Sequence, residues 1–419
     1  MQKYLNNKWS VIDLFSGAGG MSYGFHAHPD FEVVAAVDAQ IAKPSSSKGS
    51  LKCNLSYQEN IGIEPINADL RLLEPKVLRN IIASDLANKT PTILIACPPC
   101  TGFSRTLPNN HLLDDARNSL VTRCGLFVEE FKPKIFLMEN ARELIVGKFC
   151  HHYKKLQEKL VQLGYKVHAE VHLLNNFGLP QRRERAFIIA VKKDLQLRNL
   201  NELWDGFTVN LEATHVRRAI SNLPPVDAGK AHRDDALHFA PNFSSETNLR
   251  RLQLIPKNGG SWRDIKDYPE AKEVLTPAML RYIAQGKFGS HPDVYGRLCW
   301  DKPAVTIKRE CSHIGNGRYA HPEQNRLCTI REMSILQGFP KDYKFIAPGI
   351  SNIYRQIGDA VPPLISYQLA KLCEWILNND KPSIDSIILP NTHLISEDIE
   401  TLSKKNDYFQ LSLFNPVLQ

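Results

Sequence analysis

A cysteine on a stiff turn is the first residue in this chain whose type and setting suit chemistry. Cys100 follows Pro98 and Pro99, and the prolines close an apolar run of Ile93, Leu94 and Ile95. An unbroken apolar run is the pattern of a strand buried on both faces, and two prolines cannot continue it. Cys100 therefore stands just past a strand's carboxyl end, where open parallel sheets collect their ligands. Three uses compete for it. With Cys97 it forms a Cys-x-x-Cys pair, but a zinc site needs two more ligands at similar spacing, and the sequence has no second pair. A redox pair usually opens a helix rather than spanning a proline turn. An inert buried cysteine is the plain alternative. The third use is nucleophilic: a thiolate adds to carbon 6 of a pyrimidine ring if charge on the ring is relieved. Glu139 is suited to neutralise ring nitrogen 3. Arg183 and Arg185 are suited to stabilise developing charge and to hold Glu139 or a phosphate.

Those residues need a scaffold. Residues 11–15 read as a buried strand running into Ser-Gly-Ala-Gly-Gly at 16–20, with a helix expected over 21–28. Strand, glycine turn and helix together bring backbone N–H groups close to a ligand. The spacing falls short of the six-position dinucleotide fingerprint and has no Walker lysine. Residues 31–37 form a second strand ending at Asp38, where an acid is placed to accept hydrogen bonds from ribose hydroxyls. Residues 43–50 read as a loop from their Lys, Pro, Ser and Gly content, and Asp69 closes a short third strand. Residues 105–117 are polar without a clear period and read as an active-site loop. A helix over 120–131 follows, then a strand over 134–138 ending at Glu139 and Asn140, a helix over 153–163 stopped at Gly164, and a strand over 186–191. This alternation predicts an α/β fold, a doubly wound and mainly parallel sheet. The glycine turn, Asp38, Asp69, Cys100 and Glu139 would then face one crevice.

After residue 194 the pattern changes. Over 195–300 periodicity is poor, and basic and aromatic residues mingle: Arg217, Arg218, Arg233, Arg250, Arg251, Lys257, Trp262 and Arg263. This predicts a smaller, irregular second domain. Its basic residues suit either nucleic acid or an ordinary solvated face. The Gly-Gly-Ser-Trp stretch at 259–262 reads as a loop that brings backbone close to something. Order returns over 301–378, with helices at 330–336 and 364–376, and 379–419 read as a polar tail with apolar spots. The chain thus divides into 1–194, 195–300, 301–378 and 379–419. Its 52 Lys+Arg against 44 Asp+Glu give a net charge of +8, which suits a polyanionic partner. Nine irregularly spaced cysteines argue against a disulfide scaffold and for a reducing compartment. No apolar run reaches the roughly 18 residues of a membrane span, and the N-terminus lacks a signal-peptide pattern, so a cytoplasmic, nucleoid-associated protein is expected.

Six motifs in order carry a family resemblance. They are Asp-Leu-Phe-Ser-Gly-Ala-Gly-Gly at 13–20, Pro-Pro-Cys-Thr-Gly-Phe-Ser at 98–104, Met-Glu-Asn at 138–140, Gln-Arg-Arg-Glu-Arg at 181–185, Arg-Glu-Met-Ser-Ile-Leu-Gln-Gly-Phe-Pro at 331–340 and Gln-Ile-Gly-Asp-Ala-Val-Pro-Pro at 356–363. With these the chain resembles DNA (cytosine-5) methyltransferases of the bacterial restriction-modification type. The resemblance implies a Rossmann-like catalytic domain and S-adenosyl-L-methionine as methyl donor, with no metal. By matching position it implies Phe15, Gly17, Gly19 and Gly20 in the donor site, Asp38 on the ribose and Asp69 near the adenine, with Pro99, Leu120, Asp359 and Ala360 completing the pocket. It implies Cys100 as nucleophile, Glu139 on ring nitrogen 3, and Arg183 and Arg185 as supports. It puts target recognition in 195–300, double-stranded DNA as partner, and a cognate restriction endonuclease beside it. An RNA cytosine methyltransferase, or a non-catalytic donor-sensing DNA-binding protein, are the alternatives. The sizeable second domain argues against the first, and the intact Cys100, Glu139 and Arg183 against the second.

The sequence also departs from the pattern. Ala96 and Cys97 stand where two glycines are usual, Thr101 replaces a usual glutamine, Ala141 a common valine, and Asp359 a common asparagine. The 43–50 stretch lengthens the path after Asp38. None of these removes a residue that the chemistry needs. In the tail, Gln-Leu-Ser-Leu-Phe at 410–414 resembles the short peptide by which bacterial replication and repair proteins dock on the DNA sliding clamp. Gln410 would serve a polar subsite, and Leu413 with Phe414 an apolar pocket.

Overall fold

The computed structural model describes residues 8–43, 48–87, 90–99, 114, 116–287 and 293–402. Cys100, Thr101 and the Gln410–Phe414 peptide lie outside the described residues. Seven strands build the main sheet: β1 (Trp9–Leu14), β2 (Phe31–Asp38), β3 (Ile66–Asn67), β4 (Ile93–Ala96), β5 (Ile135–Ala141), β6 (Tyr165–Leu173) and β7 (Glu184–Lys192). They lie in the order β3-β2-β1-β4-β5-β7-β6. The first five run parallel, and β7 is antiparallel to both its neighbours, β5 and β6. The order reverses between β1 and β4, so a crevice opens at the carboxyl ends of these two strands.

The apolar runs are continuous because both faces are covered. Side chains alternate along a strand, so Val11, Ile93, Ile95, Ile135, Leu137 and Ile189 enter one core while Ile12, Leu94, Phe136, Met138 and Ile188 enter the other. The first face is closed by α1 (Gly20–His26) and by α6 (Pro363–Asn378), through Met21, Phe25, Leu364, Ile365 and Leu369. The second is closed by α2 (Ser119–Phe131) and α3 (His151–Gln162), through Val121, Phe127, Phe131, Leu156 and Leu160. The chain therefore returns from beyond residue 300 to finish the layer it began. At the α1–α6 contact the Ser366 hydroxyl accepts the Gly24 N–H at 3.1 Å. A Cβ on Gly24 would fall 2.2 Å from Ser366 Oγ, so only glycine permits this approach.

Several expectations shift. Residues 43–50 are not simply a loop, because Ile41–Lys43 and Lys48–Ser50 pair antiparallel as a short hairpin. β5 runs to Ala141, so Glu139 sits inside the strand, opposite Phe187, rather than past its end. β3 stops at Asn67, two residues before Asp69. No strand is expected between the helix over 153–163 and the strand over 186–191, yet β6 lies there. The expected polar tail is packed as far as it is described. Ile387, Leu389, His393 and Leu394 are buried, and Ile399–Thr401 pairs with Phe207–Val209.

Two smaller cores lie beyond the sheet. One gathers Val216, Ile220, Leu252, Leu298 and Trp300 around α4 (Ile330–Leu336) and α5 (Ile350–Asp359). The other holds Ile255, Trp262, Ile265, Val274 and Met279. The glycine stretch at 259–262 does bring backbone close to a partner: Arg318 Nη1 donates to Gly259 O at 2.7 Å and to Gly260 O at 3.2 Å. No described helix is long and apolar enough to cross a membrane.

Candidate active site

The crevice begins where β1 gives way to the glycine turn. Phe15 and Gly17 take left-handed backbone conformations, with φ of 63° and 52°. The turn aims the Gly17 N–H at Asp38, whose Oδ2 accepts it at 2.9 Å. Asp38 Oδ1 accepts the Gln40 N–H at 2.5 Å and the Cys53 thiol at 3.6 Å. Burial raises the Asp38 pKa above the ordinary carboxylate value, and these donors oppose the rise. A Cβ on Gly17 would meet nothing within 4 Å, so the turn borders open space.

Behind the turn lies a second carboxyl group. Asp13 is fully buried in β1, and its Oδ2 accepts the Ser22 hydroxyl at 2.5 Å. Tyr57 Oη in turn donates to Ser22 Oγ at 2.6 Å. Burial, aided by the nearby Asp38, moves the Asp13 pKa up to about 7 despite the Ser22 bond.

The opposite wall is the proline turn and the end of β5. The Cys97 N–H donates to Leu14 O at 3.2 Å, which ties the turn to β1. Asn140 Nδ2 donates to Pro98 O at 3.0 Å, which ties it to β5. Glu139 is 8% exposed, and Arg185 Nε lies 2.7 Å from its Oε1. Arg185 is on β7, the antiparallel neighbour of β5, and that pairing sets the two side chains together. Arg183 points elsewhere through its described bonds. It is buried, and its guanidinium donates to Ile307 O at 3.1 Å and Ala360 O at 3.3 Å. Both acceptors belong to the returning part of the chain.

That return closes the third side. Gln181 Nε2 donates to Gln337 Oε1 at 2.7 Å, its Oε1 accepts the Ile307 N–H at 2.9 Å, and Gln337 Nε2 donates to Ala360 O at 2.7 Å. Asp359 is ion-paired with Arg309, whose guanidinium also donates to Ala42 O at 2.6 Å in the hairpin beyond Asp38. Together these walls enclose a cavity of about 350 Å³. Phe15, Gly17, Gly20, Asp38, Asp69, Pro99, Leu120, Glu139, Arg183, Arg185, Asp359 and Ala360 all line it.

A family model described as C-5 cytosine-specific DNA methylase matches residues 9–375. The chain belongs to this family. It is 31% identical over 374 residues to the Type II methylase M.HgiDII of Herpetosiphon aurantiacus, across 86% of this chain and 94% of that relative. It is 30% identical over 387 residues to the Type II methyltransferase M.NgoFVII of Neisseria gonorrhoeae, across 91% and 90%. Among solved structures it is similar to a putative DNA modification methyltransferase encoded within an E. coli prophage, with a TM-score of 0.58 and 22% identity over 88% of this chain and all of that one. The S. pombe Dnmt2 methyltransferase shares the fold at a TM-score of 0.57 and 16% identity, over 88% of this chain and 100% of that one.

As a DNA (cytosine-5) methyltransferase, the protein has a cleft larger than its motifs announced. Cys53, Arg71, Thr306, Ile307, Arg309 and Gln356 also line it. Gln356 lies inside a recognised motif. The 306–309 segment has no periodicity, and only the return of the chain brings it there. One expected member is missing from the lining: Gly19 faces away, and a Cβ on it would meet Tyr343 Oη at 3.0 Å and Tyr57 at 3.2 Å. Asp69 is at the rim but engaged, with Arg71 Nε 2.8 and 3.0 Å from its two oxygens, and this bond holds its pKa below the ordinary value. Cys97 lines the cleft, and burial, followed by the charge of Glu139, keeps its thiol well above the usual range. The eight described cysteines are all free.

The methyltransferase's basic second region is less open than its composition promised. Arg217 bonds Asp301 at 2.7 and 3.0 Å, Arg218 meets Asp398 at 3.3 Å, and Arg250 pairs with Glu273 at 2.9 Å. Arg251 is buried and donates to Val274 O. Trp262 is a core residue. Arg233 is exposed beside Asp234.

Proposed function

We propose that this enzyme methylates carbon 5 of one cytosine within a specific duplex DNA sequence, with S-adenosyl-L-methionine as donor. What carries the reading is the juxtaposition of Glu139, Arg185 and the proline turn on the wall of a cavity that the glycine turn also borders. The cavity lies within the size range of small-molecule clefts, about 300–1,000 Å³. The open space beside Gly17 and the half-buried Asp38 carboxylate suit a nucleoside bearing hydroxyl groups. Phe15, Gly17, Gly20, Asp38, Leu120, Pro99, Asp359 and Ala360 would hold the donor, with Asp38 on the ribose. Gly19 would act by shaping the turn. Asp69 would reach the adenine from its bond with Arg71. When bound, the donor supplies an electrophilic methyl carbon.

The protein's own part is to make cytosine a nucleophile. The target base leaves the stack, at a cost of a few kcal/mol. The Cys100 thiolate adds to carbon 6 while Glu139, steadied by Arg185, neutralises nitrogen 3. Carbon 5 then gains electron density and would take the methyl carbon of the bound donor, the electron pair of the broken sulfur–methyl bond staying on the donor's sulfur. Loss of the carbon 5 proton and release of Cys100 restore the ring. Arg183 supports this by holding the 307 and 360 carbonyls that bound the cleft. The 195–300 region would read base edges, and exposed cations would hold phosphates without regard to sequence. The relatives named Type II point to modification of host DNA beside a cognate endonuclease, and the Gln410–Phe414 peptide to docking on the sliding clamp. Bisulfite sequencing of DNA from expressing cells would give the target. Duplex DNA carrying 5-fluorocytosine should trap a covalent complex with the wild type and none with Cys100→Ser. An adduct with the serine variant would overturn the nucleophile assignment.

A further inference from the structure

Away from the cleft, three metal-ligating side chains meet at the start of α3. His151 and His152 are its first two residues, and both turn their Nε2 atoms toward Asp114. His152 Nε2 lies 2.9 and 3.0 Å from the two Asp114 oxygens, and His151 Nε2 lies 3.2 Å from Oδ2. The imidazoles stack with centroids 4.1 Å apart and planes inclined by 35°, which aligns their edges. One ligand atom from each residue falls within 4.8 Å of the other two. The His152 side chain is only 11% exposed, while those of His151 and Asp114 are 46% and 40% exposed. One ligand is thus anchored inside and two stand at the rim.

We infer that Asp114, His151 and His152 form a binding site for a divalent first-row transition metal ion of the zinc class. A tetrahedral ion with bonds of about 2.0–2.1 Å holds its ligand atoms about 3.3–3.4 Å apart. The Asp114–histidine separations fall short of that by only a few tenths of an ångström, so on that side binding needs a small outward shift, with each imidazole in the tautomer that leaves Nε2 free for the ion. Two imidazoles with one carboxylate suit such ions and do not suit magnesium or calcium. The carboxylate is already oriented, because Asn118 Nδ2 donates to Asp114 Oδ1 at 2.9 Å. Water completes the coordination on the exposed side. The site joins positions 38 apart in the chain, so the ion acts as a staple between α3 and the segment preceding α2.

The test uses the full-length protein, free of any histidine tag and stripped by a chelator. Cobalt(II) serves as a visible probe and zinc as its competitor. The expected result is saturable binding of one equivalent, displaced by zinc, with affinity roughly tenfold weaker or worse in His151→Gln/His152→Gln and in Asp114→Asn. Zinc should raise the melting temperature of the wild type and not of these variants. It should also shield His151 and His152 of the wild type from carbethoxylation read by mass spectrometry, a measurement that needs no variant. Unsaturable binding, unchanged affinity in the variants, a thiolate charge-transfer band, or histidines modified equally with and without zinc would overturn the site.

Discussion

The sheet half of the molecule and the 215–330 region solve the same problem in opposite ways. In the sheet, strands satisfy their own carbonyls, and apolar side chains fill both faces. Over 215–330 there is little regular structure, so many carbonyls have no ladder partner, and buried arginines supply the donors. Arg297 is the extreme case. It is 1% exposed and donates to Ile255 O, His321 O, Gln324 O, Leu252 O and the Asn325 side chain. Burial pushes its pKa down to about 10, so it remains a cation at neutral pH. Arg326 forms a fully buried pair with Glu332, both contacts at 2.7 Å. The lesson is that a basic stretch in an irregular domain is partly scaffold. Its buried arginines hold the protein's own backbone or a buried carboxylate, and the exposed ones, such as Arg217 and Arg250, are left for a polyanion to compete for against their surface carboxylates.

Replacing Arg297 should break this contrast most severely. Arg297→Leu removes a donor from four carbonyls; Leu252 O and Gln324 O keep the Ile255 and Arg326 N–H groups, while Ile255 O and His321 O lose the donor that Arg297 supplies, and each orphaned buried acceptor costs about 1–3 kcal/mol. We expect a loss of at least about 2 kcal/mol, confined to the 215–330 region. Gel shift with target DNA should then fail, while donor affinity by calorimetry stays near wild type. Equal loss of both would mean that the two halves do not stand apart energetically.

The sheet half has its own buried charge problem, and there the sign is reversed. Asp13 has no cation beside it among its described contacts, and its raised pKa means that folding favours the protonated form. Its stability contribution is fully present below the unfolded value of 3.8 and is lost as pH rises through about 7. A shift of that size corresponds to at most roughly 4 kcal/mol. Asp13→Asn keeps an acceptor for Ser22 and carries no charge. The melting temperature of the variant, relative to the wild type, should therefore climb from pH 5 to pH 8. A flat difference would mean that Asp13 is not the buried acid described.

Much of this was legible in the sequence, and the parts that were not share a cause. β1, β2, β4, β5 and β7 could be read because burial on both faces writes an apolar run. β6 has no such run: it is an edge strand in which Tyr165, Val167, Ala169, Val171 and Leu173 alternate cleanly with Lys166, His168, Glu170 and His172, a half-buried pattern that a search for apolar runs passes over. The hairpin after Asp38 hid behind lysine, serine and glycine. The motif residues Asp38, Pro99 and Glu139 line one cleft because Asp38 ends β2, Pro99 lies on the turn just past β4, and Glu139 is near the carboxyl end of β5. Arg309 and the carbonyls held by Arg183 depend on a chain return of more than a hundred residues, which no local pattern encodes. The packing of Ile387 and Leu394 likewise became visible only with the fold.

Arg185→Ala tests whether a charge on the cleft wall serves chemistry rather than scaffold. Arg185 lies on the cleft wall with one carboxylate partner, and the side chains of both are nearly buried. Its loss should leave the fold intact and lower single-turnover methyl transfer roughly a hundredfold, the scale of a misplaced acid–base group. Donor affinity should not move. A variant that instead melts early would put Arg185 with Arg297 as a structural cation.

The smallest effect is expected where the sequence departs from its family. Asp359 stands at a position where asparagine is common, and the structure pairs it with Arg309. Arg309 also holds Ala42 O in the hairpin beyond Asp38, so the pair links two walls of the cleft. Asp359→Asn removes the charge while keeping size and one acceptor. The pair is part-exposed, and such pairs contribute up to about 1 kcal/mol, or roughly fivefold in affinity. Calorimetry should therefore show donor binding weakened by up to that factor, with kcat nearly unchanged. The double variant Asp359→Asn/Arg309→Gln should lose no more than either single change, because both remove the same link. Additive losses would mean that Arg309 acts on the cleft by a route that does not run through Asp359.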